Sequence, residues 1–244
     1  MDLIEALSAD TDLVCVVGAG GKKTTLYALA ARLERAVVTA TVRIPIFDDH
    51  VAAVRVTRDP VGTLRDADAT TWPLGLVPER ERDDRYLGYD RETVTAIRAA
   101  HDGTVLAKAD GARTRLLKAP DDREPQVPAT ADTVIPVASA RVVGKPLTDD
   151  HVHRPERVAE LTGLALGDPI GPEDVATVLA SRAGGRKRVP PTATVVPLVN
   201  MVDDDDLAAT GREIAAAVHD RADVSRVVLA RMADPSVVDV IHNS

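Results

Sequence analysis

The sequence predicts an α/β protein: a doubly wound, mostly parallel sheet held between helices in three αβα layers. Three observations predict it. Short apolar runs rich in β-branched residues alternate with helix-like stretches; the first run leads straight into a glycine-rich turn and a helix; and a later run ends on Asp110-Gly111. Strands that alternate with helices favour parallel pairing, because each helix carries the chain back along the sheet.

Taken in order, residues 13–17 (LVCVV) form a short apolar run, as expected of a strand buried on both faces. Residues 22–33 follow the glycines with helical periodicity, placing Leu26, Leu29, Ala30 and Leu33 on one face. Residues 36–41 (AVVTAT) read as a second buried strand, and 51–57 and 71–77 as weaker ones. Residues 91–100 read as a helix, and 104–109 (TVLAKA) as a strand. Further strands are expected at 133–138, 193–199 and 225–230, with helices at 155–161, 172–181 and 205–219. Two segments read as loops: 111–130, long enough to be functional, and 182–191, rich in glycine, proline and basic residues. No internal repeat, heptad pattern or convincing linker interrupts the chain, so residues 1–244 are expected to form one domain.

Composition narrows the classes. A chain of 244 residues buries roughly 70–75% of its unfolded surface and needs no disulfide or metal to fold. The single Cys15 sits in an apolar run and has no internal partner, which points to a reducing compartment. No run approaches the roughly 20 apolar residues of a membrane helix, and the start MDLIEALSADTD lacks the basic segment of a signal peptide. The expectation is a cytoplasmic protein with no membrane partner. A formal charge of −8 argues against nucleic acid as a partner. The composition is halophile-like: acid-rich, with only six lysines (22, 23, 108, 118, 145 and 187) among the 30 basic residues. Where lysine is this scarce, each one is a candidate for a specific task.

Gly18-Ala19-Gly20-Gly21-Lys22-Lys23-Thr24-Thr25 joins the first strand to its helix. Such a unit presents backbone N–H groups and a helix N-terminus to an anion, so these residues are candidate phosphate ligands of a P-loop NTPase-type fold. The usual pattern, G-x-x-x-x-G-K-S/T, is one element off. Counting from Lys22 puts Val16 at the first glycine and Lys23 at the hydroxyl; counting from Lys23 puts Lys22 at the second glycine. A glycine turn needed only for packing is the competing reading. Asp110, at a strand end before glycine, is a candidate to hold Mg²⁺ together with Thr24; an aspartate opening a turn is the alternative. Thr39 and Thr41 end the second strand and either face the same crevice or are there as strand formers. Asn200-Met201-Val202-Asp203 follows a strand as a guanine-reading Asn-Lys-x-Asp would, but with Met201 at the lysine, and Asp203 opens an acidic run that also suits a helix cap. His151 and His153 lack a third ligand at zinc spacing; His153 and Arg154 fit an anion better.

GAGGKKTT, VVTATVRIP, LAKADGARTRLLKAPDDREPQVP, VVGKPLTDDHVHRPE and VVPLVNMVD, in this order, resemble the YqeC family, whose members are described as accessory proteins for selenium-dependent molybdenum hydroxylases. The resemblance spans residues 14–231 and implies a nucleotide-binding loop at Gly18, Gly20, Gly21 and Lys22. It also implies a crevice lined by Thr39, Thr41, Asp110, Gly111, Arg113, Lys118 and Glu124, and it matches Lys145, His153 and Arg154 to a later block. Where the family loop carries a threonine, this chain has Lys23, leaving Thr24 to supply the hydroxyl.

The expected function is therefore a nucleoside triphosphate-binding accessory protein, a slow NTPase using Mg²⁺ with ATP or GTP. Lys22, Asp110 and Arg113 are the candidate catalytic residues, Thr24 and Asp110 the metal ligands. Lys118, Asn200 and Asp203 join the loop as candidate nucleotide ligands. A molybdopterin cofactor and a molybdenum hydroxylase are the expected partners beyond the nucleotide. The alternatives are a carrier that keeps a nucleotide or cofactor without turnover, and a phosphoryl or nucleotidyl transferase acting on it.

Overall fold

Hydrophobic alternation within the short strands decides the layering. In the first strand, Leu13–Gly18, Val14 and Val16 point into one core, while Leu13, Cys15 and Val17 point into another. Both faces of the sheet must therefore be covered by helices. The computed structural model describes residues 1–68 and 70–243 and meets this requirement. The helix Lys22–Ala30 packs its Leu26 and Leu29 on one face. Val94 and Ile97 of the helix Arg91–Ala100 pack on the other. A third cluster joins Pro155–Thr162, Pro172–Ala180 and Asp205–His219 to the far end of the sheet.

Among the described residues the main sheet runs in the order Ser236–His242, Arg226–Arg231, Leu198–Asn200, Thr133–Ser139, Leu13–Gly18, Thr104–Lys108, Ala36–Ala40, Leu74–Val77, Ala53–Val56. Each of these pairs is parallel except the first, where Ser236–His242 returns antiparallel along the edge. The strand Leu13–Gly18 has Thr104–Lys108 on one side and Thr133–Ser139 on the other. The chain leaves it in one direction and later returns to pass it in the other. Such a reversal opens a crevice at the carboxyl ends of the strands, where ligands of open α/β sheets bind.

The expected α/β class and three-layer order hold, and most elements fall within a few residues of their expected bounds. The expected strand at 193–199 is instead two pieces, Thr194–Val195 and Leu198–Asn200. Pro197 lies in the gap and has no N–H to donate to a ladder. The edge strand Ser236–His242 and the helix Pro60–Arg65 were not expected. Nor was the small antiparallel sheet of Ile44–Pro45, Arg85–Tyr86 and Arg80–Arg82.

Phe47, the chain's single phenylalanine, is 1% exposed and locks this small sheet to the main one. Its ring meets Tyr86 edge-on at 5.7 Å and stacks at 6.3 Å on Tyr27 of the loop helix. A Cβ at Gly75 would come within 2.6 Å of it. Phe47→Ala is expected to cost about 3–5 kcal/mol of unfolding free energy in denaturant titrations, the range for a large cavity in a packed core.

Candidate functional site

The glycine loop lies where the sequence places it, between the central strand and the helix Lys22–Ala30. Its glycines serve packing as well as backbone exposure. Gly18 has φ +91°, and a Cβ there would lie 2.3 Å from the Val137 carbonyl oxygen. At Gly21, with φ +124°, a Cβ would lie 2.1 Å from the Asn200 amide nitrogen. Only glycine meets both demands.

The backbone N–H groups divide into two sets. Gly18 N–H donates to Asp110 Oδ2 at 2.9 Å, Ala19 N–H to the Val137 carbonyl at 2.9 Å, and Gly20 N–H to the Arg115 carbonyl at 2.8 Å. These three hold the loop's shape. The N–H groups of Gly21, Lys22, Lys23 and Thr24 meet no acceptor among the described residues, and no side chain caps the helix. They belong to the N-cap and first turn of a nine-residue helix, the end that carries favourable partial charge for an anion.

Beside the loop lies a buried ionic network. Lys22, Lys108, Asp110 and Lys118 are between 2% and 6% exposed. Asp110 Oδ1 pairs with Lys22 Nζ at 2.9 Å, and its Oδ2 with Lys118 Nζ at 2.9 Å. Lys22 also donates to the Gly18 carbonyl, and Lys118 to that of Gly111. Glu124 Oε2 lies 2.6 Å from Lys118 Nζ and 2.9 Å from Arg154 Nη1, while its Oε1 accepts from Gly111 N–H at 2.9 Å. Arg154 Nη2 then reaches Asp121 at 2.7 Å. Arg154 adopts φ +64° directly before Pro155, a conformation costly for a non-glycine residue and held here by its two ion pairs.

Charge balance sets the protonation states. Burial pushes Asp110 up, but the ammoniums of Lys22 and Lys118 outweigh it and hold the carboxyl below its ordinary range. Burial likewise pushes Glu124 up, and Lys118 brings it below normal. Lys22 is lowered by burial, against the pull of Asp110. Lys108 donates to the Arg43 carbonyl at 2.7 Å and has no carboxylate partner among the described residues. Burial and the neighbouring Lys22 bring it down to about 7. His153, paired in register with Lys118 across two short strands, is lowered to about 4 by burial and the charges of Arg154 and Lys118.

The sequence-expected residues therefore separate into groups. Gly18, Ala19, Gly20, Gly21, Lys22, Asp110 and Lys118 are brought together, as are Gly111, Glu124 and Arg154. Thr24 is exposed in the first helical turn, and no hydrogen bond joins it to Asp110. Thr25 is buried and donates to the Gly21 carbonyl at 3.1 Å. Ammoniums lie 2.9 Å from each carboxylate oxygen of Asp110, although the buried Oδ1 accepts no hydrogen bond among the described residues. With these cations beside it and Thr24 exposed and unbonded to it, Asp110 and Thr24 as arranged do not fit a Mg²⁺ ion shared between them. Arg113 is exposed at φ +47° in the long loop and makes no ion pair among the described residues. Lys145 is exposed as well.

Asn200 is buried, donates to the Gly20 carbonyl at 2.7 Å and accepts from Met232 N–H at 3.0 Å. Its amide clips the loop to the next strand. Asp203 pairs with Arg141 at 2.5 Å, and the cap of the following helix is its neighbour Asp204. Thr39 donates to the Leu76 carbonyl at 2.8 Å, while the buried Thr41 hydroxyl has no partner among the described residues.

Sequence reasoning assigned no role to Lys108 or Asp121. The signal for Lys108 was present: a lysine inside an otherwise apolar strand, TVLAKA, in a chain with only six.

Fold and loop together define an α/β protein with a nucleotide-binding-like architecture. The model of the YqeC protein family matches residues 14–156, more than half of the chain, and the chain belongs to that family. A protein of Escherichia coli (strain K12), named Uncharacterized protein YqeC, is 28% identical over 209 residues, covering 83% of this chain and 80% of that protein. No solved structure matches the chain.

The displaced pKa of Lys108 has a measurable consequence. A lysine that titrates near 10.5 when unfolded and about 7 when folded makes the unfolded chain bind more protons between those values. Stability from this residue therefore rises with pH across that window. Relative to Lys108→Met, the wild type is expected to gain up to about 1.4 kcal/mol per pH unit there, read from denaturant titrations at pH 7, 8 and 9.

Proposed function

We propose that this chain is a nucleoside triphosphate-binding accessory protein that takes ATP or GTP with Mg²⁺ and retains it, hydrolysing it slowly. One observation carries the reading. Four N–H groups without an acceptor among the described residues, Gly21 to Thr24, sit at the start of a nine-residue helix, at the carboxyl edge of a parallel sheet, beside a buried cluster of lysines. Donors and charge of this kind favour phosphate oxygens, and a preformed loop loses little entropy when it binds them.

In this reading the N–H groups of residues 21–24 cradle the terminal phosphates. Lys22 exchanges its bond to the Gly18 carbonyl for a phosphate oxygen while Asp110 keeps it oriented. Lys118 and Lys108 add positive charge behind it. Mg²⁺, when bound, would neutralise phosphate charge, with the exposed Thr24 hydroxyl as a candidate side chain to hold it; Asp110 is paired with two lysines. That commitment favours retention over the fast turnover of a hydrolase, which needs an ordered metal and a positioned water. Service to a molybdenum hydroxylase, and a molybdopterin cofactor as second ligand, belong to the same proposal and rest on the resemblance of the sequence blocks.

Calorimetric titration of Mg²⁺-ATP and Mg²⁺-GTP tests the reading. Wild type is expected to bind at least one of them saturably. Lys22→Ala is expected to lose tenfold or more in affinity, since a charge-assisted contact contributes roughly 1.5–3 kcal/mol. The double variant Lys22→Met/Asp110→Asn removes both charges of the pair, so neither partner is left buried alone, and should lose a similar factor. Absence of saturable binding by wild type, or binding indifferent to both variants, would sink the proposal.

A further inference from the structure

The two segments that the sequence marks as loops, 111–130 and 182–191, meet on the surface. Between them and the start of the helix Arg91–Ala100 lies a cavity of about 670 Å³. That is within the usual range for a small-molecule site. Its walls carry Arg91, Arg123 and Arg188 against one carboxylate, Asp122, and its floor is Val127 and Pro190. On a chain of net charge −8, this is a local excess of positive charge.

The three arginines differ in what they do. Arg188, at φ +55°, donates to the carbonyls of Asp122, Arg123 and Pro125 and so builds the wall. Arg91 and Arg123 are exposed and form no ion pair among the described residues. Asp122, in the same lining, lies 3.9 Å from Lys187 and 4.0 Å from Arg157, and the side chains of Arg91 and Arg123 donate to no acceptor among the described residues, so their donors remain free. Fork-shaped guanidinium groups with free donors bind oxyanions in pairs.

We propose that this cavity is a second anion site, for a small molecule bearing a phosphate ester or comparable multiply charged oxyanion, with its less polar part on Val127 and Pro190. The segment 121–126 forms one wall of it. On its other side the same segment carries Glu124, which holds Lys118 and Arg154 in the network beside the glycine loop. The two sites are back to back across one clamped stretch of chain. The anion site does not rest on the nucleotide reading above.

The test is calorimetric titration of inorganic pyrophosphate into the full chain at low salt, for wild type, Arg91→Ala/Arg123→Ala and Asp122→Asn. All three changed residues are exposed, and unchanged thermal melts check that each variant folds. The expected result has two classes of site in wild type. The double arginine variant loses at least tenfold in one class and leaves the other intact; Asp122→Asn, by removing the one carboxylate among the described lining residues, tightens that same class. If the glycine loop binds no anion, a single class remains and still vanishes in the arginine variant, so the two readings fail separately. No binding by wild type, or pyrophosphate binding untouched by the arginine and aspartate changes, overturns the second site.

Discussion

One carboxylate organises the carboxyl edge of the sheet. Asp110 is buried and charged, a state affordable only because two ammoniums and the Gly18 N–H surround it. Its partners come from three places: the glycine loop, the first helical turn and the long loop after the strand Thr104–Lys108. Breaking a buried pair of this kind by removing one partner costs about 3–5 kcal/mol, because the survivor is left charged in a poorly solvated place. The loop's shape therefore depends on the ion pairs as much as on its glycines. Glu124 and Arg154 extend the same logic outward to Asp121, tying down the loop from Gly111 to Glu124.

This network also explains why the loop departs from the usual phosphate-binding pattern without losing its donors. Three N–H groups, at 18 to 20, are spent on protein acceptors and shape the turn; the next four meet no acceptor among the described residues. Asn200 supports the arrangement from the other side by holding the Gly20 carbonyl. An Asn beside a glycine loop can look like a base reader in sequence while its amide is already spent within the fold. The excess of ammonium over carboxylate is relieved in part by the lowered pKa of Lys108, brought down by burial and by the neighbouring Lys22.

The sheet was largely legible because its strands are short, apolar and separated by helices with clear periodicity. Where the sequence misled, the cause was local. Pro197 splits a run that reads as one strand. The stretch SVVDVIH places polar Asp239 among valines and carries a bulged register against its neighbour, which blurs the alternation of an edge strand. Within the site, Gly18 to Lys22 and Asp110 stood out through spacing. Asp121 did not, because an aspartate in PDDREP reads as an ordinary loop residue until Arg154, 33 residues later, is folded against it. The scarcity of lysine was the better guide, since three of the six lysines are the buried ones beside the loop.

By itself the sequence determined the α/β class, the strand–glycine loop–helix unit and its family, since periodicity, glycine placement and motif order are written in the order of residues along the chain. Tertiary structure decided what each charged residue does. It committed Asp110 to two lysines, turned Asn200 inward, left Thr24 and Arg113 exposed and brought two loops together around an arginine-lined cavity. The physical reason is distance. Electrostatic and hydrogen-bonding roles depend on separations of about 3 Å between groups far apart in the chain, and those separations exist only once the sheet has assembled.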